Sequence, residues 1–534
     1  MQSVGRVSNL DHRAFDRGAF STSSTRGIMV IVLFALAFLL RSADFGNAAI
    51  DLDEQWYLLV GDRMLHGAVP YIDMWDRKPV GLFLSYAALR ILPGDGIIAY
   101  EVVATLFAGA TAVTVAAIAR RIGANAAGAL AGGLLYLLAL SVLGGQGGQA
   151  PVFYNLPVAL AALLTTRLPE FIASGRPSTI GWNGLAACGL VGLAIQLKYT
   201  AAVEGAFIGI AHLWAAWQLR ERWSLPAIFT WTLAWAIAGL LPTIVAVMAF
   251  AGMGTKAFEA FWFANFVSIL LRNAYPTRQV LGNLGSIIGQ LVPLLLAAGV
   301  TMLRYRTTIE ASRERALASG WLLAAGMGFV AIGTFHDHYA LPLLAPLATL
   351  GGVALGRSRY LLAIAIGAAS LIFVGERMAM ADANEPVREA AHLVRAWSHD
   401  RCPYIFMGDP IIYHLAESCI PTAYAFPNTL AQAIEQGATG VDEATEVARI
   451  MAGHPPVVVL SDRRRTIWNH DSVAVMRRAL ARDYCLARRI RRGRWNLLLY
   501  VRRHGANGSI LRWRLNSSLQ SSCQPSMNVP TSSS

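Results

Sequence analysis

Apolar runs recur along the chain near residues 27–41, 97–119, 126–143, 157–166, 182–197, 201–219, 226–252, 279–303, 317–335, 339–356 and 360–375. A membrane helix needs about 20 residues, and several of these runs are shorter, so the pattern predicts about eleven spans. The segment 79–93, "PVGLFLSYAALRILP", is apolar but short and interrupted by Arg90, which predicts an interfacial or partly inserted helix. After Glu376 the pattern changes. "REAAHLVRAW" has helical spacing, whereas "PYIFMG", "PPVVVLSD" and "WNLLLYV" read as strands. The expected fold is a polytopic α-helical membrane protein with a small C-terminal α/β soluble domain. Its expected parts are a tail at 1–26, a membrane domain at 27–375 with an outer loop at 42–96, a soluble domain at 376–503 and a Ser- and Asn-rich disordered tail at 504–534.

Composition supports that class. Of 534 residues 55% are hydrophobic and only 14% charged, against about 25% charged in a soluble domain. The polar start, "MQSVGRVSNLDHRAFDRGAFSTSSTR", carries no small-residue cleavage pattern, so the first apolar run is expected to be a retained helix. Arginines cluster before the first helix, at 120–121, at 167 and 176, at 220 and 222, in "RYRTTIEASRER" and in "GRSR". These fall in alternate loops, which predicts a cytoplasmic N-terminus and a soluble domain on the periplasmic side of an inner membrane. The net charge of +13 is thereby assigned to the membrane, with no nucleic-acid partner expected. Only Lys78, Lys198 and Lys256 among the 45 basic residues are lysines, and all three fall on the outer side of that scheme, against the positive-inside bias.

The outer loop concentrates chemistry. Asp51, Asp53 and Glu54 begin a helix expected to run to about His66. Carboxylates there are explained either by capping and the helix dipole, or by a general base or metal-ligand pair at the bilayer surface. "WDRKP" places Arg77 and Lys78 just before Pro79, at the start of the short helix. That is either a phosphate site at a helix N-terminus or a pair of cations snorkelling to the headgroups. His336, Asp337 and His338 are either a metal cluster or interfacial polar groups.

"DEQWYLLVGDRMLHGAVPYIDMWDRKPVG" resembles the first outer loop of GT-C membrane glycosyltransferases, in particular the superfamily of protein O-mannosyltransferases and lipid A aminoarabinose transferases. The residues that carry the resemblance are Asp53, Glu54 and Tyr57, then Gly67, Tyr71 and Asp73, then Lys78 and Pro79; Val80 replaces the family's second Pro. "GLAIQLKYTA" and "HYALPLLAPLATLGG" extend it over most of 28–375. It implies transfer of a sugar from a polyprenyl-phosphate donor to an acceptor hydroxyl on a lipid, glycan or protein. Asp53 and Glu54 would be catalytic, Lys78, Lys198, His338 and Tyr339 would hold the donor phosphate, and Asp51, Tyr57, Asp73, Arg77, Gln149 and Asn155 would contact substrate. The loop "GGQGGQAPVFYNLP" lacks the second carboxylate of many relatives, so either Asp51 or Glu54 substitutes or none is needed. No cofactor is expected to be required, and a divalent metal is disfavoured.

Two other classes compete: a transporter of lipid-linked sugars, and an inactive relative that binds glycans. A transporter should show repeated halves, and no internal repeat is visible in the sequence. Cys402 and Cys419 are expected to form a disulfide, because each precedes a predicted strand, "PYIFM" or "IPTAYAF"; Cys485 is the rival partner.

Overall fold

The computed structural model describes residues 23–305, 309–379, 383–462 and 468–503. Most of the expected N-terminal tail and all of the expected C-terminal tail therefore lie outside the described residues. Eleven long helices correspond to the apolar runs: α1 (Ser23–Arg41), α4 (Ile97–Arg121), α5 (Ala126–Val142), α6 (Ala150–Thr165), α8 (Pro177–Ile195), α9 (Ala201–Gln218), α10 (Leu225–Gly252), α12 (Thr277–Arg304), α13 (Ile309–Ile332), α14 (Leu341–Leu355) and α15 (Arg359–Ala379). Between them lie α2 (Leu52–Leu65), α3 (Val80–Arg90), α7 (Leu168–Ser174) and α11 (Thr255–Trp262). Among the described residues, nine helical stretches are long and apolar enough to cross a membrane. The protein is a multi-pass membrane protein.

Proline in the first turn starts α6, α8, α10 and α14, where its missing N–H costs nothing. The 17-residue α5 is short for a span and is buried on nearly every side by α1, α4, α14 and α15. It reaches α14 through small residues: a Cβ on Gly132 would lie 2.7 Å from the Ala348 carbonyl oxygen. Small residues at a crossing let helix backbones approach where no water is available to drive association.

Among the described residues, the segments that carry Arg121, Arg222 and Arg315 meet their neighbours at one end of the bundle. There Arg121 pairs with Glu170 at 2.7 Å and with Glu314 at 2.9 Å, and Asn125 donates to the Gly356 carbonyl. At the other end α2 and α3 pack on each other. α3 is the short helix expected of 79–93.

The soluble part begins with α16 (Asn384–Ser398) and holds a four-stranded sheet of order β1-β2-β4-β3, with β1 (Tyr404–Ile405), β2 (Val457–Ser461), β3 (Tyr484–Arg492) and β4 (Trp495–Arg502). β1 and β2 are parallel; β4 runs antiparallel to both β2 and β3. Val457 and Val459 join the core shared with α16 and the membrane domain, while Val458 and Leu460 face Ile450, Met476 and Leu480. Burial on both faces explains why "VVVL" is apolar without alternation. Cys402 and Cys419 are disulfide-bonded, with Cα atoms 4.8 Å apart. The reason differs from the expected one, because 420–426 is not a strand and β1 pairs with β2 instead.

Candidate functional site

A cavity of about 2400 Å³ lies between the ends of the membrane helices and the soluble part. Its lining includes Asp51, Asp53, Asp76, Arg77, Lys78 and Lys198, together with His336, Asp337, His338 and Tyr339. Residues more than a hundred positions apart thus share one wall.

The acidic pole is set by how α2 starts. Asp51 is its N-cap and accepts the Asp53 backbone N–H at 2.8 Å, which satisfies one orphan donor of the first turn. The same carboxylate oxygen accepts from the Gln149 amide at 2.6 Å. Asp53 points along the cavity and meets Lys78 Nζ at 3.3 Å and the Tyr57 hydroxyl, which donates at 3.2 Å. Both side chains of the Lys78–Asp53 pair are about a fifth exposed (23% and 21%), so a ligand in the cavity can reach them.

Lys78 is aimed by the turn before α3. Gly67, at φ +91, ends α2 in a conformation that favours glycine. Tyr71 is held at φ 71, a costly conformation for a bulky residue, and its hydroxyl donates to the Lys78 carbonyl at 2.8 Å. Lys78 Nζ also lies 5.1 Å from the Tyr57 ring centroid. Lys198 sits in the link between α8 and α9, with Nζ 4.4 Å from the centre of the Tyr339 ring, and the His338 ring packs 4.3 Å from that ring. A cation over an aromatic face is stabilised without being neutralised.

The charges are unevenly matched. Burial alone would raise the Asp53 pKa, but Lys78, followed by His338 and Lys198, overrides it and holds the carboxylate well below its usual range. Burial likewise opposes the charge on Lys78, and Asp53 and Asp76 more than restore it, raising its pKa. Lys198 is less well compensated: burial, then repulsion from Lys78, outweigh the attraction of Asp53 and lower its pKa to about 7. Asp51 moves the opposite way, raised to about 6 by burial and by the neighbouring Asp53. Two adjacent carboxylates are thus driven apart in acidity by their surroundings.

Several expected site residues take other roles. Glu54 is fully buried and does not line the cavity; it accepts the Gly148 backbone N–H and pins the 144–149 loop. Asn155 is also buried, donating to the Leu341 carbonyl at 3.1 Å, because it lies inside α6 on the face turned to α14. Asp73 is exposed and accepts the Val69 N–H at 2.7 Å, closing the turn after α2. Arg77 reaches the cavity already in contact with an acid: it pairs with Glu435 at 2.5 Å, and Arg272 pairs with the same carboxylate at 2.7 Å. Tyr57 and Gln149 support Asp53 and Asp51 as described. Lys256 lies exposed on α11.

Three contributors were not anticipated. Asp76 lines the cavity beside the cations it precedes in "WDRKP", a placement visible in the motif. Arg41, at the end of α1, donates to the carbonyls of Gly145 and Gly147, fixing the loop that carries Gln149. Arg272 gave no sequence signal. Among the described residues no three His, Cys, Asp or Glu side chains converge as metal ligands. The nearest charged partner of Asp53 is a cation, which would repel a metal rather than share one.

No family model matches this chain, and no curated protein matches it in sequence. Solved structures match in fold. The crystal structure of ArnT from Cupriavidus metallidurans in the apo state aligns with a TM-score of 0.54 and 14% identity, covering 89% of this chain and 97% of that one. The same protein bound to undecaprenyl phosphate aligns with a TM-score of 0.55 and 14% identity over 90% and 98%. A fainter likeness, TM-score 0.48 and 9% identity over 82% and 69%, is to the archaeal oligosaccharyltransferase AglB from Archaeoglobus fulgidus in complex with an inhibitory peptide and a dolichol-phosphate. The chain therefore has the GT-C fold of ArnT, the architecture its sequence led us to expect.

Proposed function

We propose that the protein is a glycosyltransferase that moves a sugar from a polyprenyl-phosphate donor to an acceptor hydroxyl at the outer face of a bacterial inner membrane. The observation that carries this reading is the Asp53–Lys78 pair beside Lys198 in a large cavity at the membrane surface. Its fold relative ArnT has been crystallised with undecaprenyl phosphate, which fits a lipid-phosphate donor here. The clustering of Arg loops at the opposite end supports a cytoplasmic N-terminus by the positive-inside rule.

The chemistry follows from the charges. A donor phosphate entering between Lys78 and Lys198 competes with Asp53 for the Lys78 ammonium. Lys198, poised near pH 7, takes up a proton as the anion arrives. Releasing Lys78 from Asp53 raises the basicity of the carboxylate at the moment the acceptor hydroxyl needs a partner. The acceptor oxygen attacks the anomeric carbon, its proton passes to a carboxylate, and the bond from that carbon to the phosphate oxygen breaks. The electron pair leaves with the polyprenyl phosphate, whose new charge the two lysines stabilise in a site of restricted solvation. Asp53 touches Lys78, the lysine the phosphate would engage, while Asp51, with a pKa of about 6, is the second carboxylate that can accept the proton. No metal takes part in this scheme, so chelation should leave the rate unchanged. Transfer from a synthetic polyprenyl-phosphate sugar by purified protein tests the proposal. Binding of the donor without transfer, across a panel of lipid, glycan and peptide acceptors, would replace it with a carrier or binding role.

A further inference from the structure

The cavity wall contributed by the soluble part differs in kind from the lysine wall: it presents two half-buried tryptophans, Trp468 and Trp495. Both are held in place. The backbone of Trp468 bridges that of Gln432, whose amide donates to Asn428 Oδ1 at 2.7 Å, and both amide residues line the same wall. Trp495 opens β4, with the Arg492 guanidinium 4.5 Å from the centre of its ring. Arg492 in turn pairs with the buried Asp409 at 2.8 Å and donates to the Ala49 carbonyl at 3.4 Å. Ala49 lies two positions before Asp51, so the β3–β4 hairpin keeps Trp495 close to the acidic pole of the cavity.

Indole area on the wall of a cavity of this size stays in contact with water unless a ligand covers it. We propose that this wall is the acceptor subsite and that it takes a carbohydrate chain, an inference that rests on the glycosyltransferase reading. A pyranose has apolar C–H faces that stack on indole, and a rim of hydroxyls that pair with amide side chains such as Gln432 and Asn428. The wall also carries Met407, Phe426, Pro427 and Ile434, but Arg492 and Gln432 stand beside the two indoles, where a lipid acceptor would call for a continuous apolar slot.

The test is saturation-transfer NMR on the full chain in nanodiscs, with cellotetraose, mannotetraose and chitotetraose as probes. At least one should bind. Trp468→Ala and Trp495→Ala should each weaken that binding roughly tenfold, as buried aromatic contacts usually do, with undecaprenyl phosphate binding unchanged. Trp495→Phe should keep most of the affinity, which separates loss of stacking from loss of fold. The inference is overturned if protein that binds undecaprenyl phosphate gives no signal with any tetrasaccharide. It is equally overturned if the alanine variants bind as the parent does, or if a Ser/Thr-rich peptide binds in place of the sugars. Sugar transfer with no glycan binding would sink the subsite alone. Tryptophan-dependent glycan binding without any transfer would sink the glycosyltransferase reading and leave this wall a glycan site that is not an acceptor subsite.

Discussion

Two clusters of basic residues face the same cavity and differ in how closely their charges are held by acids. On the membrane side, Lys78 and Lys198 share Asp53 between them, and burial has already moved Lys198 to a pKa of about 7. Where the soluble part docks, three arginines touch an acid directly: Arg77 and Arg272 both contact Glu435, and Arg492 contacts the fully buried Asp409. The difference teaches which charge is available to a ligand. A matched pair in a buried interface fixes position, since separating it would strand a charge out of water. A cation with no acid in contact, such as Lys198, is costly to keep in a cavity and is worth keeping only where an anion arrives.

The largest effect is expected at the acid beside the lysines. Asp53→Asn keeps size and hydrogen bonding but removes charge and basicity; transfer should fall about 100-fold or more, with the unfolding temperature little changed. Near-normal turnover by purified Asp53→Asn protein would remove it from the mechanism, and a loss confined to Asp51→Asn would pass the base role to Asp51.

Next come the lysines. Lys78→Ala and Lys198→Ala should each cost roughly 10- to 100-fold in kcat/KM for the donor. Arg replacements should recover only part, because a planar fork does not reproduce a compact ammonium. If exposed Lys256→Ala costs as much, the lysines are surface anchors and the comparison collapses; its expected effect is within error.

A pH series sharpens the same point. Lys198 is half protonated near pH 7 in the empty site, and a bound phosphate favours the protonated form. Binding above pH 7 must therefore take up a proton, so undecaprenyl phosphate affinity should fall as pH rises, approaching tenfold per unit. In Lys198→Ala the dependence between pH 7 and 9 should flatten. An unchanged slope in that variant would assign the titration elsewhere.

The matched cluster should respond in the opposite currency. Glu435→Gln leaves Arg77 and Arg272 without their carboxylate, so stability should drop by about 3 kcal/mol, while transfer falls less than in either lysine variant. Thermal unfolding in detergent measures the first and the donor assay the second. A large activity loss with unchanged stability would mean that Glu435 belongs to the reaction.

Much of this was legible in the chain. The apolar runs became α1, α4 and their successors because a lipid environment leaves the backbone little choice but helix, and hydropathy therefore reads almost directly as structure. The acidic start of α2 was visible as both cap and reactive pole, and Asp51 is the cap while Asp53 faces the cavity. β3 was missed since "YCLARRIRR" carries arginines on its exposed positions and has a register shift between Leu486 and Arg488, which hides the alternation of a strand. Glu54 could not be told from Asp53 by sequence. The two are adjacent on one helix, so about 100° of rotation sends one into the cavity and the other into the bundle. Which side is the cavity depends on the loop at 144–149 and on Arg41, which fixes that loop from another helix.

By itself the sequence determined the membrane class, the short helix at the surface and the residue types gathered at the outer end, because period and hydropathy are local properties. Only the tertiary structure decided which of those charges are matched. Glu435 lies more than 350 positions from Arg77 in the chain, and Arg492 more than 80 from Asp409. Charge compensation depends on distances of a few ångströms, and nothing in the local order of residues specifies those distances.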